Sequence, residues 1–316
     1  MPLRIFAVAA LAALAVSGCA ADPQLTDTTS PQTTGSATTI ATTSTQAIAT
    51  TTTTPNTARI IGDLTADDIA GQLTAVERSA ATGDGSDGVQ QQLLYRYLSA
   101  HPELDAAVLT AVGDDVRPYV ERIITARQFG QARSAANANP SPPSETLPAW
   151  TIVDPLPKDE LLGYYRDAEA ATGIPWYWLA AIHFQETRMG RITGTSSAGA
   201  VGPMQFLPET WERCCKGDPL TPRDAIIGAA TYLSQSGGPA DMPAALHAYN
   251  PNDSYVATVT AFADNMRDKP ELFAAYRAWQ VFYGSSAGTI RLPVGYSQAE
   301  AIDAAAYLAE HPDDAA

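Results

Sequence analysis

Cysteine is scarce in this chain: three residues in 316, at Cys19, Cys214 and Cys215. That excludes a disulfide-dense secreted scaffold. The adjacent pair has no common zinc-site spacing. It leaves three readings open: a vicinal disulfide, a bridge to another chain, or two buried small hydrophobes. Basic residues are also few. Nineteen Lys and Arg face 34 Asp and Glu, a formal net charge of −15 and a pI near 4.5. Such a surface repels a phosphate backbone, so no nucleic acid is expected as a partner. It does not dock on anionic lipid by charge either, although acidity also serves plain solubility. Long apolar runs are missing. The only unbroken one, Ile5 to Val16, falls short of the roughly 20 residues that span a bilayer. No clustered metal ligands and no phosphate-cradling loop occur, so neither metal nor cofactor is expected.

What is present begins with an export signal. Arg4 and the amino terminus precede the apolar run, which ends in Val16-Ser17-Gly18-Cys19. A short positive region and a short apolar run read as a signal peptide. The small residues before Cys19 resemble a bacterial lipobox, in which the cysteine is lipidated and becomes the new terminus. The sequence therefore divides into a signal peptide over 1–18 and a lipidated tether over 19–58. Half of residues 26–57 are threonine. That composition builds no core and predicts a disordered segment with a reach of about 30 Å. Apolar residues at helical spacing, such as Ile69, Leu73 and Val76 after the capping pair Thr65 and Asp68, predict a helical region over 59–135. It carries no chemical constellation and reads as a spacer or docking element. Pro140, Pro142, Pro143, Pro148, Pro155 and Pro157 mark 136–157 as a stiff linker. A second helical unit is expected over 158–270, followed by an extension over 271–316. There, Trp279 to Tyr283 and Thr289 to Val294 flank a Gly/Ser turn and read as a short β-hairpin.

The chemistry concentrates in His183-Phe184-Gln185-Glu186-Thr187-Arg188-Met189-Gly190 and the loop that follows. An apolar helix ends there on a carboxylate. A glycine-rich loop runs through Ser196-Ser197-Ala198-Gly199 and Gly202-Pro203-Met204-Gln205-Phe206 to a new helix at Pro208. The dipole at a helix C-terminus disfavours a carboxylate by about 0.3–1 kcal/mol. Together with burial it raises the pKa, which suits a general acid near neutral pH. On the helix pattern alone, a solvated glutamate at a fraying end is the better account of Glu186.

The wider pattern resembles the lytic transglycosylases of glycoside hydrolase family 23, whose fold is goose-lysozyme-like. The resembling segments are Gln185-Glu186-Thr187, Ser196 to Gly199, Gly202 to Phe206, Asp218-Pro219 with Asp224-Ala225-Ile226, and Ala248-Tyr249-Asn250, in the family's order. They cover about a third of the chain. The resemblance implies a mostly α architecture: a lysozyme-like helical catalytic domain preceded by the small helical region. It implies that Glu186 is the catalytic acid and base. Ser196, Met204 and Gln205 match sugar-contacting loop positions, and Tyr249 and Asn250 match the helix end facing the glutamate. The Glu186-to-Ser196 spacing is one longer than in some members, so Ser197 is an alternative to Ser196. Leu207 stands where a substrate-contacting methionine is common.

Most glycosidases use two carboxylates, and the resemblance supplies one. It implies cleavage of the MurNAc-GlcNAc β-1,4 bond of peptidoglycan, with the substrate's own C6 hydroxyl as nucleophile and a 1,6-anhydro-MurNAc product. The expected partners are glycan strands and, through lipid on Cys19, the bacterial cell membrane, with the enzyme on its extracytoplasmic side. Two other readings compete. One is a hydrolytic muramidase of the same fold using Glu209, Glu212 or Asp218 as a second carboxylate. The other is a glycan-binding lipoprotein without catalysis. Trp176, Trp178 and Trp211 are read as core residues rather than sugar platforms.

Overall fold

The computed structural model describes residue 60, residues 62–80 and residues 83–316. The expected signal peptide, Cys19 and the threonine-rich tether lie outside the described residues. The first four helices are α1 (Ala66–Ala80), α2 (Gly88–Ala100), α3 (Asp105–Ala111) and α4 (Arg117–Ala135). α1 starts on a reciprocal cap. The Thr65 amide donates to Asp68 Oδ2 at 3.0 Å, and the Asp68 amide donates to Thr65 Oγ1 at 3.2 Å, which satisfies two otherwise orphaned groups. Two short strands follow, β1 (Thr146–Leu147) and β2 (Thr151–Ile152).

α5 (Lys158–Thr172) ends on Gly173, whose φ of +78° is the left-handed cap that glycine adopts without penalty. α6 (Trp176–Thr187) is the central helix. All its residues but Tyr177 are buried, because it is apolar on every face and other elements surround it. Beyond it come β3 (Ile192–Thr193), α7 (Pro208–Cys214), α8 (Pro222–Gln235), α9 (Met242–Tyr249), α10 (Asp253–Asp268) and α11 (Leu272–Arg277). The chain closes with β4 (Val281–Ser285), β5 (Gly288–Leu292), β6 (Ile302–Asp303) and α12 (Ala304–Glu310). The architecture is mostly α, with only short antiparallel strand pairs. The C-terminal hairpin forms as β4 against β5, with Val281 opposite Leu292 and Ser285 opposite Gly288. No helix among the described residues is long and apolar enough to cross a membrane.

The first four helices share one continuous core with the helices that follow. Ile69, Leu73, Leu94 and Ile124 belong to the same apolar cluster as Tyr165, Phe184, Phe262 and Trp279. Polar contacts seal this junction. Asn265 in α10 is fully buried, and its Nδ2 donates to the Tyr119 carbonyl at 3.1 Å and to the Tyr276 hydroxyl at 3.0 Å. The Trp279 indole donates to Gln91 Oε1 at 2.9 Å. A buried side-chain amide without such partners would cost about 1–3 kcal/mol, so these bonds fix how α10 and α11 meet α2 and α4.

The proline-rich segment is also built into the structure. β1 pairs with β6, and β2 pairs with β3 so that Ile152 sits opposite Ile192. Leu147, Trp150 and Ile152 are buried in a second small core with Val281, Ile290, Leu292 and Tyr296. The prolines set the turns, and the apolar residues between them anchor the strands. Pairing β2 to β3 ties this segment to the chain just beyond α6, where the loop of interest begins.

Candidate active site

α6 delivers Glu186 one residue before its C-terminus. The chain then turns sharply, with Arg188 at φ 54° and Met189 at φ 59°. Their amides donate to the Phe184 and His183 carbonyls, both at 3.1 Å. Gln205, across the loop, has φ 49°, and among the described residues only these three non-glycine residues have positive φ. Each such residue costs about 1–2 kcal/mol. They persist only where the surroundings over-determine them, and such positions cluster at functional sites.

Hydrogen bonds over-determine this loop. Val201 and Phe206 exchange backbone bonds of 2.9 and 3.0 Å around the turn Gly202 to Gln205. Thr187 Oγ1 donates to the Pro203 carbonyl at 2.7 Å, which ties the turn to the end of α6. The Gln205 amide group donates to the Gly202 carbonyl at 2.8 Å. Gly202 is required twice. Its φ is +75°, and a Cβ there would lie 1.9 Å from the Pro219 carbonyl oxygen. Ser196 is buried, and its Oγ accepts from the Ala200 amide at 3.0 Å. Ser197 is exposed beside it. Phe206 and Trp211 pack edge to face at 5.1 Å. Trp176, Trp178 and Trp211 are all buried, as the core reading expects. Cys214 and Cys215, at the end of α7, form a disulfide with each other.

Glu186 is 2% exposed. Its Oε1 accepts from the Tyr255 hydroxyl at 2.7 Å, and its Oε2 has no protein partner. Burial pushes its pKa up to about 8, and the Tyr255 bond partly offsets that rise. The carboxyl is therefore predominantly protonated at neutral pH. Tyr249 stands beside Tyr255 with rings nearly parallel, 7° apart in orientation and 6.4 Å between centroids. Its hydroxyl donates to the Met204 carbonyl, which ties the end of α9 to the loop. Tyr249 and Asn250 are both buried. Glu186, Tyr249 and Met204 are thus joined through Tyr255. Gln205 and Ser196 bind within the same loop, and Ser197 faces outward.

Tyr255 was not legible as a site residue. The one local signal is Asn252, whose Oδ1 accepts from the Ser254 and Tyr255 amides at 2.9 and 3.3 Å. That N-cap fixes where α10 starts, and hence where Tyr255 points. Only the packing of α10 against α6 turns that direction toward Glu186. Glu209, Glu212 and Asp218, the three alternatives for a second carboxylate, are exposed. The Asp218 amide donates to Asp224 Oδ2 at 3.0 Å, and Asp218 Oδ1 accepts from the Leu220 amide at 2.9 Å. Asp218 and Asp224 thus shape the turn leading into α8.

Residues 163–270 match the family described as the transglycosylase SLT domain. A curated relative, the membrane-bound lytic murein transglycosylase F of Thiobacillus denitrificans, is 37% identical over 75 residues. That stretch is 24% of this chain and 16% of the relative, so the chain matches only a small part of its length. No solved structure matches the chain. The resemblance read from the motifs is borne out at the level of this domain.

Proposed function

We propose that the protein, whose residues 163–270 match the transglycosylase SLT domain, is a peptidoglycan lytic transglycosylase with Glu186 as its single acid and base. One observation carries this reading: a buried carboxyl with one oxygen held by Tyr255 and the other without a protein partner. Held protonated near neutral pH, Glu186 donates its proton to the glycosidic oxygen as the bond to C1 of N-acetylmuramic acid breaks. The sugar's N-acetyl group stabilises the positive charge at C1. Glu186, now a carboxylate supported by the Tyr255 hydroxyl, accepts the proton of the C6 hydroxyl as that oxygen closes on C1. The product is a 1,6-anhydro sugar, and no water is consumed. Ser197, Gln205 and Asn250 contact the glycan, while Ser196, Met204 and Tyr249 hold the loop that receives it.

The mass of the products tests the mechanism. Digestion of purified peptidoglycan should release fragments one water lighter than hydrolysis products, and Glu186→Gln should lose that activity by at least the 10²–10⁴-fold typical of general acid–base catalysis. Glu209→Gln and Glu212→Gln should keep most of it. Ordinary reducing-end products from the parent, with a dead Glu209→Gln, would reassign it as a hydrolase.

The enzyme is expected to work outside the cytoplasmic membrane, held by lipid on Cys19. Cys19→Ala should release it from washed membranes with its fold intact; persistent attachment after a high-salt wash would overturn the anchor.

A further inference from the structure

A cavity of about 410 Å³ adjoins the same loop and has no assigned role. That is within the usual size of small-ligand sites. Its walls are mainly apolar and include Val153, Leu156, Leu161, Ile192, Val201 and Leu220. Two wall residues, Val153 at 38% and Leu220 at 62%, are among the few exposed large hydrophobic side chains of the described chain. One buried polar group lines this apolar space. His183 is 1% exposed, and its Nε2 has no protein partner. That nitrogen faces Gly190, another wall residue, where even a Cβ would come within 3.4 Å. Glycine at 190 sets no side chain against that buried nitrogen.

The other ring nitrogen fixes the chemistry. His183 Nδ1 lies 2.8 Å from the buried Tyr165 hydroxyl, which has no other acceptor among the described residues. With Tyr165 donating to Nδ1, every group of the pair is used and the proton of the neutral imidazole sits on Nε2. Burial drops the His183 pKa to about 3, so the ring stays neutral and attracts no anion. Asp154, also in the wall and exposed, pairs with Arg191 at 3.4 Å, so the wall offers an anion no unpaired cation. What the cavity lacks is an uncharged acceptor beside a small apolar group.

We propose that this cavity is a second binding site, for a neutral secondary amide bearing a short alkyl group, whose carbonyl oxygen accepts a hydrogen bond from His183 Nε2. The acetamido groups of a glycan strand and the amides of its attached peptide share this chemistry. The choice of these two sources rests on the function proposed above, whereas the donor and its walls do not. Thr195, Val201, Gly202 and Pro203 belong to the wall; Thr195 precedes Ser196, and Pro203 precedes Met204 and Gln205. A bound amide therefore braces the loop beside Glu186.

The test uses nitrogen-15 NMR on the full chain carrying Glu186→Gln, so that no probe is cut. The chain has four histidines, and the His183 Nε2–H signal is assigned by its absence in His183→Phe. The probes are an N-acetylglucosamine tetramer and N-acetylalanine methylamide, each at millimolar concentration. A saturable shift of the Nε2–H signal is expected with at least one probe. A response to the tetramer alone assigns the sugar acetamide, and a response to the peptide probe assigns the peptide. Leu220→Trp narrows the mouth from an exposed position and should weaken the response at least tenfold. The site is overturned if neither probe shifts the signal, if Leu220→Trp leaves the response unchanged, or if Nε2 carries no proton. Should His183→Phe fail to fold, selective labelling of histidine and the Leu220→Trp arm still decide. The mass of the parent's products is read separately, so failure here leaves the reaction assignment standing.

Discussion

The Tyr255 hydroxyl and Glu186 Oε1 are 2.7 Å apart across the contact of α10 with α6, while Glu186 Oε2 has no protein partner. The two oxygens of one carboxyl are therefore distinct. In the proposed mechanism the tyrosine stabilises the charge on the first, and the second carries the proton toward a glycosidic oxygen.

Tyr255→Phe tests this division. Burial raises the Glu186 pKa and the Tyr255 bond lowers it. Removing the bond should hold the carboxyl protonated to still higher pH. The alkaline limb of the activity profile should move up by about one pH unit. Turnover at neutral pH should fall about tenfold, because the carboxylate formed after the first step loses its donor. A profile that keeps its limb while the rate falls would reduce Tyr255 to a packing residue.

The site was legible in the sequence to the extent that it is local. Glu186 at a helix end and the loop from Ser196 to Phe206 are continuous stretches whose irregularity shows in their glycines. Tyr255 escaped because its role arises from two helices crossing, and nothing in residues 251–256 encodes where α6 will be. The apolar faces of α1 to α4 were equally plain, but their partners were not. Buried Asn265 sits in α10, where sequence alone gives no reason to expect it to reach Tyr119. The prolines of 136–157 suggested a stiff linker, because prolines interrupt regular structure whether or not the residues between them find strands to pair with. Trp150 and Ile152 were the overlooked signal, as an open linker has no use for such side chains.

Gly202→Ala should damage the loop beyond the ordinary effect of an added methyl group. The backbone sits at φ +75°, and the new Cβ would fall 1.9 Å from the Pro219 carbonyl oxygen. Backbone cannot step aside as a flexible side chain can. A loss of about 2–4 kcal/mol in unfolding free energy is expected, with activity reduced even where the protein remains folded. Chemical denaturation monitored by tryptophan fluorescence checks the first, and peptidoglycan digestion checks the second. A variant of unchanged stability would mean that the turn is free to reshape.

A fragment of residues 150–316 should not fold as the whole chain does. It retains every matched motif but loses α1 to α4, which complete the core around Phe262 and Trp279. It would also leave the Asn265 amide and the Trp279 indole without Tyr119 and Gln91. Aggregation or a loss of cooperative thermal unfolding is expected. A monomeric fragment with a sharp melting transition would show that the first helices are dispensable to the core.

Glu186→Gln should make the folded protein more stable, and the gain should depend on pH in a defined direction. The Glu186 carboxyl has a pKa raised from an ordinary value of 4.5 to about 8 by burial. Below about pH 4.5 it is protonated in both folded and unfolded chains, and contributes no pH dependence. Between that value and about 8 the unfolded chain releases the proton and the folded chain keeps it. The folded state then binds more protons, so stability falls as pH rises through this window and levels off above it. Glutamine carries no such proton and removes that penalty. Thermal unfolding of parent and variant should nearly coincide in this respect near pH 4. By pH 8 they should diverge in favour of the variant by ~1–4 kcal/mol, with the upper end reached only if burial is as complete on average as in this structure. A constant difference from pH 4 to 8 would mean that Glu186 titrates as an ordinary carboxylate, and the acid needed for the first step would have to come from elsewhere.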